Sequence, residues 1–352
     1  MNDQSIPLFE LPPNALSIVF QQMSLIDLFE LSLSSAHAKR TIKSCYPEEA
    51  RRTVNVHIPT QIAVPGDSTW NFHVTRDPHA AELVELKTVK VNGLEMVAER
   101  NGTSCSVVSD SRDEKFLKVL DYISNIVPLH VESIHVDFDA IDDFQSIFAS
   151  PRLKSADQFS VFRGRCTSDE MNALLNGLTV KRLHLTLNPG WNSVFQHNIT
   201  VPWLNLSMYH MNWEHLLKID STETTIQNGE FTNAELNLFV TSWLFNLESN
   251  IKTMEIRYEA TAEPELDQKS IADGIRTVPG TQKSMEAKWS VPELFMRGVP
   301  FQQGLDLRRC DGRWATILVC SVAQHLQPDH FQQTFHFIAW PVQNPNLYVA
   351  RE

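Results

Sequence analysis

Four aspartates form the set of side chains in this sequence best suited to hold a metal ion: Asp137, Asp139, Asp142 and Asp143. Carboxylate oxygens bind hard cations, and the loops after parallel strands often hold ligands. The spacing lacks the glycine and terminal glutamate of a calcium loop, and Asp142 and Asp143 equally suit a helix N-terminus. A metal-dependent hydrolase using Asp137 and Asp139 is therefore only an alternative, and we expect no metal and no cofactor.

The thirteen histidines provide no clear metal pair. His210 with His215, and His325 with His330, are five residues apart, whereas two imidazoles share a helix face at a spacing of four. The sequence has no G-x-S-x-G motif and no phosphate-binding glycine loop. A nucleophilic site assembled from distant residues stays open, because catalytic triads have no fixed spacing. We expect no catalytic residue.

The cysteines and the net charge indicate the compartment and the class of partner. The five cysteines include no C-x-x-C pair, which fits buried thiols in a reducing compartment; they are Cys45, Cys105, Cys166, Cys310 and Cys320. The net charge of -12 argues against nucleic-acid binding. The longest apolar run, residues 315–323, is too short to span a bilayer, and no signal peptide is evident. We expect a cytoplasmic or nuclear protein without membrane contact.

Residues 6–45, at the start of the chain, have the pattern of three short helices. Pro12 and Pro13 suit a first helical turn, and apolar residues follow at helical spacing as Leu16, Val19, Phe20 and Met23. Ser24 with Asp27 resembles a capping box before Leu25, Leu28 and Leu31. Ser34-Ser35 opens a third helix that we expect to end near Ile42.

These helices carry more apolar surface than about forty residues can bury alone, which predicts a docking face. The segments Leu11-Pro12, Val19-Phe20, Asp27-Leu28 and Leu33-Ser34-Ser35 resemble an F-box, the module that binds the Skp adaptor of cullin-based ubiquitin ligases. The resemblance implies adaptor binding through Leu11, Pro12, Leu16, Val19, Phe20, Leu25, Leu28 and Leu31. Ala38 stands where many F-boxes have tryptophan, so a neighbour must fill that position or leave it loosely packed.

The resemblance implies a non-catalytic subunit of a Skp-cullin-F-box ligase, which binds the adaptor at its N-terminus and a target protein through its C-terminal part. Cullin would then be an indirect partner. The alternative in a different class is an F-box interaction protein that acts outside any ligase. An ordinary helical cap on a larger domain explains the same helices without a partner.

Residues 47–110 change to the two-residue period of β-strands. Val54, Val56 and Ile58 alternate with polar residues, as do Trp70, Phe72 and Val74. Asn92-Gly93 and Asn101-Gly102 are preferred hairpin turns, because both residues accept positive φ. We predict a small antiparallel meander that joins the helices to the remaining chain.

After a predicted helix over residues 113–126, an apolar-x-x-apolar-x-apolar pattern recurs along the chain. Its equivalent positions are Ile134, Phe159, Leu183, Leu204, Ile226 and Met254, although the pattern fails at Ile226. The gaps of 25, 24, 21, 22 and 28 residues lie in the range of about 20 to 29 typical of leucine-rich repeats. Helices are predicted in the gaps at residues 168–178, 213–219 and 232–247. An ordinary α/β layer with chance spacing remains an alternative, because only Leu185-x-x-Asn188 has the asparagine typical of such repeats.

Two C-terminal blocks, residues 235–254 and 304–317, resemble the type-2 F-box-associated domain of the nematode-expanded F-box families. The second block also predicts a hairpin with an Asp311-Gly312 turn and Trp314 packed beneath it. We interpret Trp191, Trp203, Trp213 and Tyr209 as core residues of the repeats rather than base-stacking platforms.

The predicted fold class is α/β, or α+β overall, in three parts. An F-box occupies residues 1–46 and a β meander residues 47–110. An irregular leucine-rich-repeat-like F-box-associated domain, ending in a β hairpin, occupies residues 111–352.

Overall fold

The computed structural model describes residues 7–74, 87–109, 111–162, 167–187, 198–208, 211–258, 265–280, 303–324 and 327–340. The chain divides into two compact units. Unit 1 comprises residues 1–164 and 176–180, and unit 2 comprises residues 165–175 and 181–352. The boundaries predicted after residues 46 and 110 stay predictions. No helix among the described residues has the length and apolar composition needed to cross a bilayer.

Unit 1 combines five helices with a mixed sheet in its described part. The helices are α1 (Pro13–Gln22), α2 (Leu25–Ser34), α3 (Ala36–Cys45), α4 (Arg112–Ile126) and α5 (Phe144–Ala149). The strands are β1 (Arg52–Ile58), β2 (Gln61–Val64), β3 (Ser68–Val74), β4 (Lys87–Val91), β5 (Leu94–Asn101), β6 (Ser104–Ser109), β7 (Leu129–Val136) and β8 (Ser155–Phe162). Their order in the sheet is β8-β7-β1-β2-β3-β6-β5-β4.

The strands predicted around the two Asn-Gly turns are present, with one departure from a purely antiparallel meander. Asn92 and Gly93 both have positive φ between β4 and β5, and Gly102 has positive φ between β5 and β6. Strands β1–β3 and β4–β6 pair antiparallel in sequence order, but β3 and β6 pair in parallel. The parallel pairing places β6 beside β3 and leaves β4 at the end of the order, which local turn signals cannot predict.

Unit 2 combines helices with parallel and antiparallel strands in its described part. Its helices are α6 (Ser168–Leu175), α7 (Trp213–Leu217), α8 (Asn233–Phe245) and α9 (Gln268–Ile271). Its strands are β9 (Thr179–Leu187), β10 (Trp203–Met208), β11 (Glu223–Gln227), β12 (Thr253–Arg257), β13 (Thr277–Pro279), β14 (Leu305–Arg308), β15 (Trp314–Gln324) and β16 (Gln327–Ala339). The order is β9-β10-β11-β12-β16-β15-β14-β13, in which β9 to β12 pair in parallel.

The parallel strands place most of the predicted repeat positions opposite one another in the strand register. Leu183 pairs with Leu204, and in unit 1 Ile134 pairs with Phe159. The assignment of Ile226 is wrong, because Leu204 pairs with Thr224, which pairs in turn with Met254. Thr224 is 3% exposed, so a buried polar residue occupies a position where the repeat pattern predicts an apolar one. The leucine-rich-repeat character stays a prediction, and Asn188 lies outside the described residues.

The helix over residues 232–247 is confirmed as α8, and its start follows from local chemistry. The Thr232 side chain accepts from the backbone N–H of Glu235, whose carboxylate accepts from the backbone N–H of Thr232, as a capping box requires. Phe239 and Trp243 then contact the Phe337 ring edge-on, with centroid distances of 5.3 and 5.1 Å. These aromatic contacts form part of the core between α8 and its sheet.

The C-terminal hairpin is confirmed, with β14 antiparallel to β15 around Asp311-Gly312. Trp314 is only partly buried and stacks on Trp340, with ring centroids 5.5 Å apart. The hairpin also positions Arg309, which is 1% exposed. Its guanidinium donates to the carbonyls of Trp243 and Asn246 and pairs with Asp311. Arg309 therefore satisfies carbonyls that the C-terminus of α8 would otherwise leave unpaired.

Candidate functional site

The candidate site is the N-terminal helical module, defined as α1, α2 and α3. Its predicted starts are confirmed, since Pro13 occupies the first turn of α1 and the side chains of Ser24 and Ser35 cap α2 and α3. Helix α3 ends at Cys45, three residues beyond Ile42. Ala38 is fully buried, and α3 has α4 as a neighbour within unit 1, so the position without tryptophan is filled from the same chain.

Burial divides the eight residues predicted to bind the adaptor into two groups. Four are at most 3% exposed: Leu16, Phe20, Leu25 and Leu28. Leu11, Val19 and Leu31 are partly exposed, and Pro12 is exposed. The four buried side chains pack inside the helical module in this conformation. Direct adaptor contact stays a prediction for all eight residues.

Unit 1 itself covers one side of α2. Phe29 meets Trp70 of β3 and Tyr122 of α4 edge-on, with centroid distances of 6.0 and 5.5 Å. The Tyr122 hydroxyl lies 3.0 Å from the hydroxyl of Ser32. The sequence interpretation missed Ile26 and Phe29, which are both buried. Together with Leu25 and Leu28 they widen the apolar face of α2. A face of this width indicates that α2 is in contact with other elements on more than one side.

Arg52, at the start of β1, joins the helical module to the sheet. Its guanidinium donates to the carbonyls of Gln21 and Met23, at 2.7 and 2.9 Å, and to the hydroxyl of Tyr46. It also pairs with Asp67 at 3.3 Å, and the same carboxylate accepts from the backbone N–H of Leu25. Arg52 thus satisfies backbone carbonyls at the end of α1, and its acidic partner Asp67 satisfies a backbone N–H at the start of α2.

A second, more exposed ion pair joins α2 to β5. Arg100 lies 2.6 Å from both Asp27 and Glu30. Hydrogen bonding from Ser24 and then from Arg100 lowers the pKa of Asp27 below its usual value. All three charged side chains are at least 36% exposed, so water screens these pairs and their contribution to stability is small.

The outward side of α1 carries apolar side chains that the described residues leave partly uncovered. Ala15 and Ile18 are three residues apart on one face of α1, and Leu11 precedes the helix in extended backbone. Ile18 is 64% exposed and is the most exposed large apolar side chain of unit 1 among the described residues. The sequence interpretation did not include Ile18 among the contact residues, because it assigned the partner surface to the regular Leu16 and Phe20 positions.

The aspartates serve as local caps in the structure. Asp137 accepts from the backbone N–H of Asp139, and Asp143 caps α5 by accepting from Ser146, as the helix-start interpretation predicted. The backbone N–H groups of Asp142 and Asp143 both donate to the buried carboxylate of Asp113. The hydrogen bonds from Ser146 lower the pKa of Asp143. Among the described residues, no three His, Cys, Asp or Glu side chains are grouped to hold a metal ion.

The remaining candidate residues are dispersed. His215 is buried in a capping box with Asn212 at the start of α7. His210, His325, Trp191, Tyr209 and Cys166 lie outside the described residues, as does the side chain of His330. Trp213 is 37% exposed, so its assignment to the core is wrong; it points outward from a short helix. The prediction of buried thiols holds for Cys105 and Cys320 but is wrong for Cys310, which is exposed in the turn before β15.

Comparison with known proteins gave one family match. Residues 8–49 match the F-box domain, which covers α1 to α3 and the residues just after them. No curated protein and no solved structure matched the chain. The F-box predicted at the N-terminus is therefore confirmed, and the helical module is the part of the chain with an assigned family.

Proposed function

We propose that this chain is the substrate-recognition subunit of a Skp-cullin-F-box ubiquitin ligase. The F-box match at residues 8–49 carries the proposal, because such modules bind the Skp-type adaptor of these ligases. In this proposal the helical module binds the adaptor and, through it, cullin, while the C-terminal part binds a target protein. The cytoplasm or nucleus would be the place of action, and the C-terminal part would be a type-2 F-box-associated domain.

The proposed role needs no bond chemistry from this chain. A recruited enzyme would transfer ubiquitin, and the receptor would hold the target close to it, which raises the effective concentration of target lysines. Within unit 1, the bonds from Arg52 to α1 and to Asp67 fix the helical module to the sheet.

The proposed adaptor surface consists of exposed and partly exposed side chains. It comprises Leu11, Pro12, Ile18, Val19 and Leu31, while the four buried residues support it from beneath. Fully burying an aliphatic side chain contributes about 1.5 to 3 kcal/mol, so the loss of two fully buried contacts weakens binding by about a hundredfold to ten-thousandfold.

The test is co-purification of the full chain with a recombinant Skp-family adaptor. We expect Ile18→Glu with Val19→Gln to lose most of the bound adaptor while the circular dichroism spectrum stays that of the wild type. Val278→Gln, a change at an exposed apolar residue of unit 2, is the matched control and should retain the adaptor. The assigned surface would be wrong if a variant with Leu11 and Leu31 replaced as well, four changes in all, bound the adaptor as strongly as the wild type does.

The second candidate function is an F-box interaction protein that acts outside a ligase, and the same family match supports it. The two differ in whether cullin is present. Affinity purification of the full chain that recovers adaptor and cullin together favours the ligase subunit. Recovery of adaptor without cullin, under conditions in which other F-box proteins recover both, favours the alternative.

A further inference from the structure

A turn from outside the helical module is bonded to the outward face of α2. Arg100, near the end of β5, donates from two guanidinium nitrogens to Asp27 and Glu30 of α2, at 2.6 Å each. Its third nitrogen, Nε, donates to the carbonyl of Gly102 in the turn between β5 and β6, at 2.9 Å. Every nitrogen of the guanidinium therefore has an acceptor, and the side chain is fixed between the turn and the helix.

Asp27 and Glu30 lie on the face of α2 that points away from the core of unit 1. Asp27, Glu30, Leu31 and Ser34 follow at spacings of three, four and seven residues, which is one side of a helix. None of these four is buried, whereas the opposite side of α2 is buried and comprises Leu25, Leu28, Phe29 and Ser32. Leu31 is one of the residues predicted to contact the adaptor. Arg100 is therefore bonded to the face of α2 that is predicted to meet the adaptor.

Arg100 changes the charge of this face, although it does not belong to the F-box. The family match ends at residue 49. Without Arg100, α2 would present two carboxylates beside Leu31. Covering an unpaired carboxylate with protein removes its water and is costly, whereas a carboxylate that already has a charged hydrogen-bond donor is less costly to cover. Arg100 thus makes this face of α2 suitable for burial under a partner.

The same ion pairs contribute little to the free chain. Side-chain exposures of 36% for Arg100, 38% for Asp27 and 49% for Glu30 leave the charges in contact with water, which screens them. The effect of the pairs should appear when a partner excludes that water, because electrostatic interactions strengthen as the local dielectric falls. The pairs are also formed before binding, so these three side chains need no further ordering.

We propose that Arg100 is a positioning residue for adaptor binding. It neutralises and holds Asp27 and Glu30 on α2, so that the adaptor can cover Leu31 without leaving a carboxylate unpaired. The inference rests on the proposed function. It extends the adaptor-binding surface from the helical module to the turn between β5 and β6.

The test compares the affinities of full-length variants for a recombinant Skp-family adaptor by isothermal titration calorimetry. We expect Arg100→Met to weaken binding about tenfold or more, because both carboxylates are then unpaired under the adaptor. Its melting temperature should stay close to that of the wild type, because exposed ion pairs contribute little to stability. Arg152→Met removes an exposed arginine of unit 1 outside β5 and the helical module; it is the matched control and should bind as the wild type does.

A triple variant separates charge compensation from anchoring of the turn. Arg100→Met with Asp27→Asn and Glu30→Gln has lost the same anchor but has no unpaired carboxylate. We therefore expect it to bind the adaptor within about threefold of the wild type. If Arg100 acts only by anchoring the turn, the triple variant binds as weakly as Arg100→Met.

Wild-type affinity of Arg100→Met, or equal weakness of Arg100→Met and the triple variant, overturns this inference and leaves the receptor function standing. A large fall in the melting temperature of Arg100→Met also overturns it, because the residue would then hold unit 1 together. Failure of the wild-type chain to bind the adaptor overturns the proposed function and this inference with it, so the two failures are distinguishable.

Discussion

At the scale of the residue, two thiols differ sharply in their environment from a third. Cys105 and Cys320 are buried, and burial raises the pKa of each to about 11. Because the thiolate is the reactive form, these two sulfurs are almost entirely in the unreactive state near neutral pH. Cys310 is exposed in the turn between β14 and β15, where a reagent in solution can reach its sulfur.

We predict that iodoacetamide modifies the native chain at Cys310 well before Cys105 and Cys320. The measurement is peptide mass spectrometry after a short exposure near pH 8, repeated in denaturant, where the difference should disappear. The Cys310→Ser variant is the control and should leave the slow modification of Cys105 and Cys320 unchanged. Fast modification of Cys105 in the folded chain would contradict the burial found here.

Single residues also show what the sequence could not reveal. Ile18 and Phe20 are both apolar, but they lie two residues apart and therefore on opposite faces of α1; Phe20 is fully buried and Ile18 is 64% exposed. Helical spacing separates the two faces, but it does not report how much of the outward face the rest of the fold leaves uncovered. The same holds for Trp213, whose size indicated a core position and whose ring lies at the surface.

At the scale of the element, Arg52 links three pieces of unit 1 that are distant in sequence. We predict that Arg52→Met lowers the free energy of unfolding by about 2 to 3 kcal/mol, because it leaves carbonyls at the end of α1 without their charged donor. Urea unfolding followed by tryptophan fluorescence measures this, since Trp70 is buried in the same unit.

The matched control for that measurement is Arg40→Met, which removes an exposed arginine from α3. It should change the free energy of unfolding by less than about 0.5 kcal/mol, as surface substitutions usually do. Equal stability of the Arg52→Met and Arg40→Met variants would show that the bonds from Arg52 do not hold the helical module to the sheet.

Elements with strong local signals were predicted well, and those that depend on distant pairing were not. Ser24, Ser35 and Thr232 mark helix starts because each side chain satisfies a backbone N–H two or three residues later. The parallel contact between β3 and β6, and the register that places Thr224 opposite Leu204, are set by long-range hydrogen bonds. No local pattern reports those bonds, which explains the error at Ile226.

At the scale of the whole molecule, the stability should depend on pH through a pair of stacked histidines. The rings of His57 and His135 are 4.5 Å apart on neighbouring strands, and Phe162 stacks on the far side of His135. In the strand register, Gln61 of β2 lies opposite His57, and Ser160 of β8 lies opposite His135. Burial lowers the pKa of both imidazoles, and the neighbouring His57 lowers that of His135 further.

Because both folded-state pKa values lie below the unfolded value of about 6.5, the unfolded chain binds protons more readily. The stabilisation is therefore fully present above that value and is lost as the pH falls through the folded-state pKa values. We predict a lower melting temperature at about pH 5.5 than at about pH 7.5, and a smaller difference for His57→Gln with His135→Gln.

The control for this prediction is His130→Gln, which removes a histidine of β7 outside the stack. It should not reduce the pH-dependent difference in melting temperature. The same difference in the double variant and the wild type would assign the pH dependence to other groups.

The contact of Phe29 with Trp70 and Tyr122 also limits how this chain can be dissected. Residues up to Cys45 do not form an independent domain. Their removal would uncover the rings of Trp70 and Tyr122 and would remove the groups that Arg52 and Asp67 bind in the helices. The loss of these contacts would itself destabilise a shortened chain, so a binding defect would not identify the surface that was removed. A transfer of this F-box to another receptor would therefore have to include β3 and α4.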